Sequence, residues 1–283
     1  MKPKIIVGAG KFALAMKKPG DILVPRSSLD VTSSTDTIKR NLATVLSDEG
    51  KQFQEFGCLL NLASKINLEW CESNPEEALH VNAIGAAKMA SVSAHFGMKF
   101  VHVSSGCIFD GMESNYSFKE NDSPSPACVY TRSKTIAEDL IRCITPHALI
   151  LRPRQVISKS INPTNMLTKF LGRPSGSKFI ESPNSVTCLE DFSDMFEHLV
   201  RHDAEGTFHC ANEGTMTPYE IALELTKLDE RLAPLPTSYS SYLEILQVKR
   251  VNTILDIEKL KSTGYHPRSV RSALEWCIEN YGR

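Results

Sequence analysis

Ile5-Ile6-Val7-Gly8-Ala9-Gly10-Lys11-Phe12-Ala13 runs from a short apolar stretch through a glycine turn into the start of a helix. Glycines at such a turn let the backbone approach a pyrophosphate, and the helix start adds free amides and a positive dipole end. Glycine turns between strands and helices are common, so this Gly-x-Gly-x-x-Ala version gains meaning only from its surroundings. Asp21-Ile22-Leu23-Val24, Cys58 to Ser64, Lys99 to Val103, Ala148 to Leu151 and Thr207 to Cys210 read as further buried strands. Between them fall helical patterns. Asn74-Pro75-Glu76-Glu77 opens one that runs to about His95, and others cover Tyr130 to Cys143 and Glu190 to Val200. Thr217-Pro218-Tyr219-Glu220 is a capping box opening another, and Asp256 to Lys261 and Ser269 to Asn280 supply two more. This alternation predicts a Rossmann-type α/β fold, a doubly wound parallel sheet with a smaller C-terminal substrate lobe. The dinucleotide-binding domain is expected over residues 1–157, with a strand and helix returning at about 186–212. The Pro-, Ser- and Asn-rich stretch that follows Ile157 breaks the rhythm, so 158–185 and 213–283 are expected to form the substrate lobe.

The formal net charge is −1 with no basic block, which argues against nucleic acid and anionic membranes as partners. No stretch approaches the ~18 apolar residues of a membrane span, and the opening apolar run is too short for a signal peptide. The eight cysteines show no Cys-x-x-Cys spacing, which points to reduced thiols in a cytosol and against zinc. The eight histidines form no metal constellation either, so no metal is expected. A homodimer is left open.

Chemistry gathers after the fourth strand. Ser104 and Ser105 follow Val103, at the carboxyl end where α/β sheets hold ligands. Tyr130 and Lys134, four apart on a helix, emerge on one face. An ammonium beside a phenol favours the phenolate, so Lys134 is expected to draw the Tyr130 phenol down toward the working range. Tyr130 then suits a general acid for ketone reduction, with Ser105 as a second donor to the developing alkoxide. For the cofactor, Gly8, Gly10, Lys11, Phe12 and the small Ala63 are expected to line the pyrophosphate and nicotinamide path. Where an acidic residue would hold a ribose 2′-hydroxyl stand Arg26 and Ser27. A guanidinium and a hydroxyl suit a 2′-phosphate, which favours NADP(H) over NAD(H); the plainer reading of Arg26 is a solvated loop residue.

The order of glycine turn, strand-end serine and Tyr130-x-x-x-Lys134 resembles the extended short-chain dehydrogenases/reductases. Val103 to Gly111 and Tyr130 to Glu138 resemble the dTDP-4-dehydrorhamnose reductases. The plant-type nucleotide-rhamnose synthases, UDP-4-keto-6-deoxyglucose 3,5-epimerase/4-reductases, are more similar still. That likeness shows in Trp70-Cys71-Glu72-Ser73, Gly106-Cys107-Ile108-Phe109 and Phe118-Lys119-Glu120-x-Asp122-x-Pro124. It continues in Leu151-Arg152-x-Arg154, Asn162-Pro163-x-Asn165-x-x-Thr168-Lys169, Pro183-Asn184-Ser185-x-Thr187 and Arg250-x-Asn252. Before Cys58 the likeness fades, and the family's usual Gly-x-x-Gly-x-x-Gly is here a residue shorter and ends in Ala13.

The resemblance implies a nucleotide-sugar substrate, a reductase centre at Ser105, Tyr130 and Lys134, and an epimerase pair at Cys107 and Lys169. Chemistry agrees, because a ketone at carbon 4 acidifies the protons at carbons 3 and 5. Inverting either centre needs a base on one face and an acid on the other. Simple dehydrorhamnose reductases carry an aromatic residue where Cys107 stands. Against these roles, Cys107 also reads as a small core hydrophobe and Lys169 as a solvated loop lysine. Arg154 and Arg250 are expected to bind the substrate's diphosphate, or else to be surface arginines. Asn165 and Asn252 would bond sugar, base or buried backbone. Trp70, Phe109 and Phe192 read as core, and Asn82 as packing or backbone capping. Two alternatives stay open: a reductase without epimerase activity, and a non-catalytic NADP-binding subunit resembling the methionine adenosyltransferase β subunit. The intact Ser105, Tyr130 and Lys134 favour an enzyme.

Overall fold

All six apolar runs become strands of one parallel sheet. A computed structural model describes residues 2–111, 115–244 and 246–283. The strands are β1 (Lys4–Val7), β2 (Ile22–Val24), β3 (Cys58–Asn61), β4 (Lys99–Val103), β5 (Leu149–Arg152) and β6 (Gly206–His209). Their spatial order is β6-β5-β4-β3-β1-β2, every pair parallel. The chain turns back past β1 to place β3, so the switch point lies between β1 and β3, where Val7 pairs with Asn61. Ligand crevices open at the carboxyl ends of strands at such a point.

Each strand buries both faces, as the unbroken apolar runs require. On one side Ile5, Val7 and Leu59 pack against α2 (Thr35–Asp48), α3 (Ala86–His95) and α4 (Val129–Ile144) through Leu42, Ala90 and Ile141. On the other Ile6 and Leu60 pack against Met16 of α1 (Lys11–Met16) and Phe192 and Phe196 of α5 (Leu189–Arg201). A third apolar cluster, including Leu167, Phe179, Ile221 and Leu274, draws on segments outside the sheet. Short parallel pairs join those segments: Val156–Ile157 with Thr187–Cys188, and Lys178–Ile180 with Leu235–Thr237. Among the described residues no helix is long and apolar enough to cross a membrane.

Two departures from the sequence reading bear on the site. The helix expected from Pro75 to His95 is broken into Pro75–Leu79, a wide π turn over His80–Gly85, and α3. Inside that turn the buried Asn82 side chain accepts from Lys65 N at 2.7 Å and donates to Lys65 O at 2.9 Å and to Ser133 Oγ at 3.0 Å. Asn82 therefore caps backbone, as expected, and ties the loop after β3 to the turn of α4 that bears Lys134. The second departure is α2, which the sequence reading did not include; Ser34 caps it by accepting from Thr37 N.

Candidate active site

A cleft of about 890 Å³ lies over the carboxyl ends of β1, β3, β4 and β5. The β1–α1 turn forms its floor. Gly8 has φ +106°, and a Cβ there would come within 3.0 Å of Ala63 N, so only glycine fits. Gly10, Lys11, Phe12 and Ala63 also line the cleft, and Phe12 packs edge-on against Phe192 at 5.4 Å. Across it, Lys11 Nζ donates to Asn162 Oδ1. Burial, and then Lys169, lower the Lys11 pKa.

At the far end, Arg26 lines the cleft with its guanidinium 3.7 Å from Asp30 Oδ2. Asp30 also faces the cleft, its carboxyl lowered chiefly by the Thr32 N–H and hydroxyl. The sequence reading missed it, although its spacing four after Arg26 was a usable signal. Ser27, beside Arg26, is exposed and is not among the residues lining the cleft.

Ser105, Tyr130 and Lys134 meet at the centre of the same cleft. Ser105 Oγ caps the short turn Gly106–Ile108 by accepting from Cys107 N at 3.1 Å, and its side chain hydrogen-bonds the Tyr130 phenol. Burial pushes that phenol above its ordinary value, Cys107 adds to the rise, and the Ser105 bond opposes it. The net shift of the phenol is therefore upward, against the fall expected from Lys134. The Lys134 ammonium donates to the Val103 carbonyl at 3.1 Å, and burial lowers its own pKa to about 8 against an opposing pull from Glu138. Four-residue spacing fixed the helix face but not where the ammonium points, and desolvation works against the charged form of both groups.

Glu138, one turn beyond Lys134 on α4, anchors the site from below. Its carboxylate accepts from Ser104 Oγ at 2.6 Å, from Arg152 Nε at 2.9 Å and Nη2 at 2.5 Å, and from Arg142 Nη2 at 2.6 Å. Those bonds lower the Glu138 pKa although burial opposes them. Helix α4 and strands β4 and β5 are thereby held in one register beneath Ser105, Tyr130 and Lys134.

The remaining candidates divide between two cavities. Lys169 lines the main cleft, where burial lowers its pKa and Arg250 adds to the effect. Cys107 instead lines a smaller adjoining cavity of about 200 Å³, and Arg154, Gln155, Met166 and Arg250 belong to both. Arg250 pairs with Glu69 and keeps partial exposure. Arg154 is buried, with Nη1 on Cys107 Sγ at 3.1 Å and Nη2 on the Val251 carbonyl, so it is not the surface arginine first considered. Asn165 lines the main cleft and Asn252 the smaller cavity, and both bond loop backbone, one of the roles the sequence left open. Asn165 caps the helix Met166–Leu171 through Leu167 N and donates to Ser158 O at 2.6 Å and Ser160 O at 2.8 Å. Asn252 donates to Pro183 O at 2.9 Å and accepts from Asn184. Both side chains bond loop backbone, and Asn252 also bonds Asn184, contacts the sequence could not reveal. Among the described residues Gln155 was also missed; its φ of +40° and an unpaired, buried Oε1 mark the junction of the two cavities.

Comparison with known proteins fits this geometry. The chain is 26% identical over 217 residues to a bifunctional dTDP-4-dehydrorhamnose 3,5-epimerase/dTDP-4-dehydrorhamnose reductase of Arabidopsis thaliana, covering 74% of this chain and 70% of that one. Of a longer trifunctional relative from the same plant, whose name ends in UDP-4-keto-L-rhamnose-reductase, it spans 32%. Among solved structures, dTDP-4-dehydrorhamnose reductase of Bacillus anthracis in complex with NADP superposes with a TM-score of 0.84 at 20% identity, covering 99% of both chains. The L780 UDP-rhamnose synthase of Acanthamoeba polyphaga mimivirus gives a TM-score of 0.84 at 20% identity, over 99% of this chain and 100% of that one. A family model described as the RmlD substrate binding domain matches residues 26–283, and the chain therefore belongs to that family.

Proposed function

We propose that this protein reduces the 4-keto group of a nucleotide-linked 4-keto-6-deoxy sugar with NADPH, and that it also epimerises carbons 3 and 5, giving a nucleotide-linked rhamnose. The observation that carries the reduction is the meeting of Ser105, Tyr130 and Lys134 in the cleft that opens above Gly8. The relatives' names support the substrate class. All eight cysteines are free thiols, which suits a reducing cytosol.

The floor of the cleft fits a dinucleotide: Gly8 lets the turn lie against the backbone of Ala63, and a Cβ at Gly10 would meet nothing within 4 Å, which leaves open space over the turn for a pyrophosphate. Gly8, Gly10, Lys11, Phe12 and Ala63 would hold it, with Arg26 toward a 2′-phosphate. When bound, the cofactor supplies the hydride for carbon 4. Tyr130 donates its phenolic proton to the ketone oxygen as negative charge develops there, and a phenol held up by burial keeps that proton until it is needed. Ser105 steadies the same oxygen with a hydroxyl, and Lys134, kept in place by the Val103 carbonyl, returns positive potential to the phenolate left behind.

For epimerisation, the Cys107 sulfur takes the proton from a carbon beside the ketone. The C–H bond breaks, S–H forms, and the electron pair moves to the enolate oxygen beside Ser105 and Tyr130. Lys169 then gives an N–H proton to the opposite face, and solvent resets both groups. No net oxidation occurs. On this reading segments 158–185 and 213–283 form the substrate lobe, with Arg250 and the other cations of the smaller cavity, Arg173 and Lys249, toward the diphosphate. A second reading, reduction alone, is favoured by the placement of Cys107 and Lys169 in adjoining cavities rather than one.

Two assays decide. NADPH oxidation with a 4-keto-6-deoxy nucleotide sugar should be rapid, and Tyr130→Phe should slow it by roughly 10²–10⁴-fold. Near-normal turnover in folded Tyr130→Phe would remove the reductase assignment. With NADPH left out, deuterium from D₂O should enter carbons 3 and 5. No deuterium in the sugar would leave reduction alone.

A further inference from the structure

A neutral thiol cannot accept a proton. If Cys107 is the base that opens epimerisation, its sulfur must be anionic before substrate arrives, and an anion at a half-buried position needs a fixed cation. The structure supplies one that sequence had given to another task. Arg154 is only 7% exposed, and its guanidinium donates through Nη1 to Cys107 Sγ at 3.1 Å. The other arm, Nη2, is held by the Val251 carbonyl, and the Arg154 backbone N–H donates to Thr187 Oγ1 at 2.9 Å. Its Nε is buried without a partner, so the side chain is not placed to serve its own hydrogen bonding best. It is placed to aim one N–H at sulfur. A charge-assisted bond of this kind strengthens when the acceptor carries negative charge.

We propose that Arg154 is the positioning residue of the epimerase half, a fixed counter-cation that keeps Cys107 as a thiolate. This rests on the epimerase reading of Cys107. The diphosphate role falls to Arg250, which lines both cavities and is partly exposed. Cys107 also adds to the rise of the Tyr130 phenol, and Arg173, Lys249 and Arg250 line the same cavity as the sulfur.

The test reads the sulfur directly. Iodoacetamide alkylates thiolates, and peptide mass spectrometry separates Cys107 from Cys143, which is exposed. In the unmodified protein at pH 7, Cys107 should react faster than Cys143 despite being less exposed. Arg154→Gln should slow alkylation of Cys107 by about tenfold, the effect of removing one adjacent charge, while Cys143 stays unchanged. Arg154→Lys keeps the charge and should restore most of the rate. The proposal is overturned if Cys107 in the unmodified protein reacts no faster than Cys143, or if Arg154→Gln leaves Cys107 as reactive as before. It is equally overturned if Arg154→Lys is as slow as Arg154→Gln. The measurement on unmodified protein decides even if a variant fails to fold. Deuterium exchange at carbons 3 and 5 separates the two claims. Absent exchange in the unmodified protein sinks the epimerase reading, whereas exchange that survives Arg154→Gln at full rate sinks only the role of Arg154.

Discussion

Replacing Lys134 by methionine should make the protein more stable at neutral pH while destroying its reductase activity. Lys134 is 2% exposed, and burial has moved its pKa from 10.5 to about 8. A shift of that size sets roughly 3 kcal/mol against the ammonium in the folded state below pH 8. Methionine has nearly the same length and no charge to desolvate, but it forfeits the bond to the Val103 carbonyl, about 1 kcal/mol. A net gain of about 2 kcal/mol follows. The pH dependence fixes its origin. The folded pKa is depressed, so the unmodified protein gains stability as pH rises from about 8 toward 10.5, where the unfolded chain still binds a proton and the folded one does not. The advantage of Lys134→Met should therefore be full at pH 6–7 and shrink above pH 8. Urea unfolding at pH 6.5 and pH 9.5 measures both values. A variant that is no more stable at pH 6.5, or whose advantage is the same at both, would refute the view that Lys134 is a charge held in place at a cost.

Three further outcomes can be checked. Gly8→Ala places a Cβ at φ +106° and 3.0 Å from Ala63 N; it should lose about 1–3 kcal/mol in thermal unfolding and bind NADPH far more weakly by titration calorimetry. Arg26→Ala should weaken NADPH about tenfold and leave NADH nearly unchanged in fluorescence titrations, whereas equal losses would move selectivity to another residue. Arg152→Met alone takes its buried cation and two of four hydrogen bonds from the Glu138 carboxylate and should cost about 3–5 kcal/mol, while Arg152→Met with Glu138→Leu should recover most of that in urea unfolding.

Much of the scaffold was legible because buried parallel strands are written as local apolar runs. Each of the six was found at its place, and the Thr217/Glu220 capping box forms as its spacing demands. The glycine turn, Ser105 and the Tyr130/Lys134 pair were legible for the same reason, since each depends on neighbours a few residues away. What sequence hid depends on distant partners. Inside the π turn Asn82 bonds Lys65 and Ser133, 17 and 51 residues off. Arg154 finds Cys107 47 residues away and Val251 97 residues away. Asn252 answers to Pro183, 69 residues back. The direction of the Lys134 ammonium belongs to the same class, because Val103 lies 31 residues earlier on another element.

The ionic knot of Glu138, Arg152, Arg142 and Ser104 has an implication for how this chain responds to selection. A buried ion pair is seldom the most stable way to fill its volume, and apolar replacements of similar size often fold as well or better. Here the knot joins helix α4, which bears Tyr130 and Lys134, to two strands through directional bonds. Apolar side chains would fill the same space yet allow the helix to slide or rotate by fractions of an ångström. A screen for heat tolerance would then favour leucines and methionines at these positions, and at Lys134, while a screen for turnover would restore the charges. The two screens would pull the same few residues in opposite directions, so improved variants should keep this region intact and take their gains from the apolar clusters farther from the cleft.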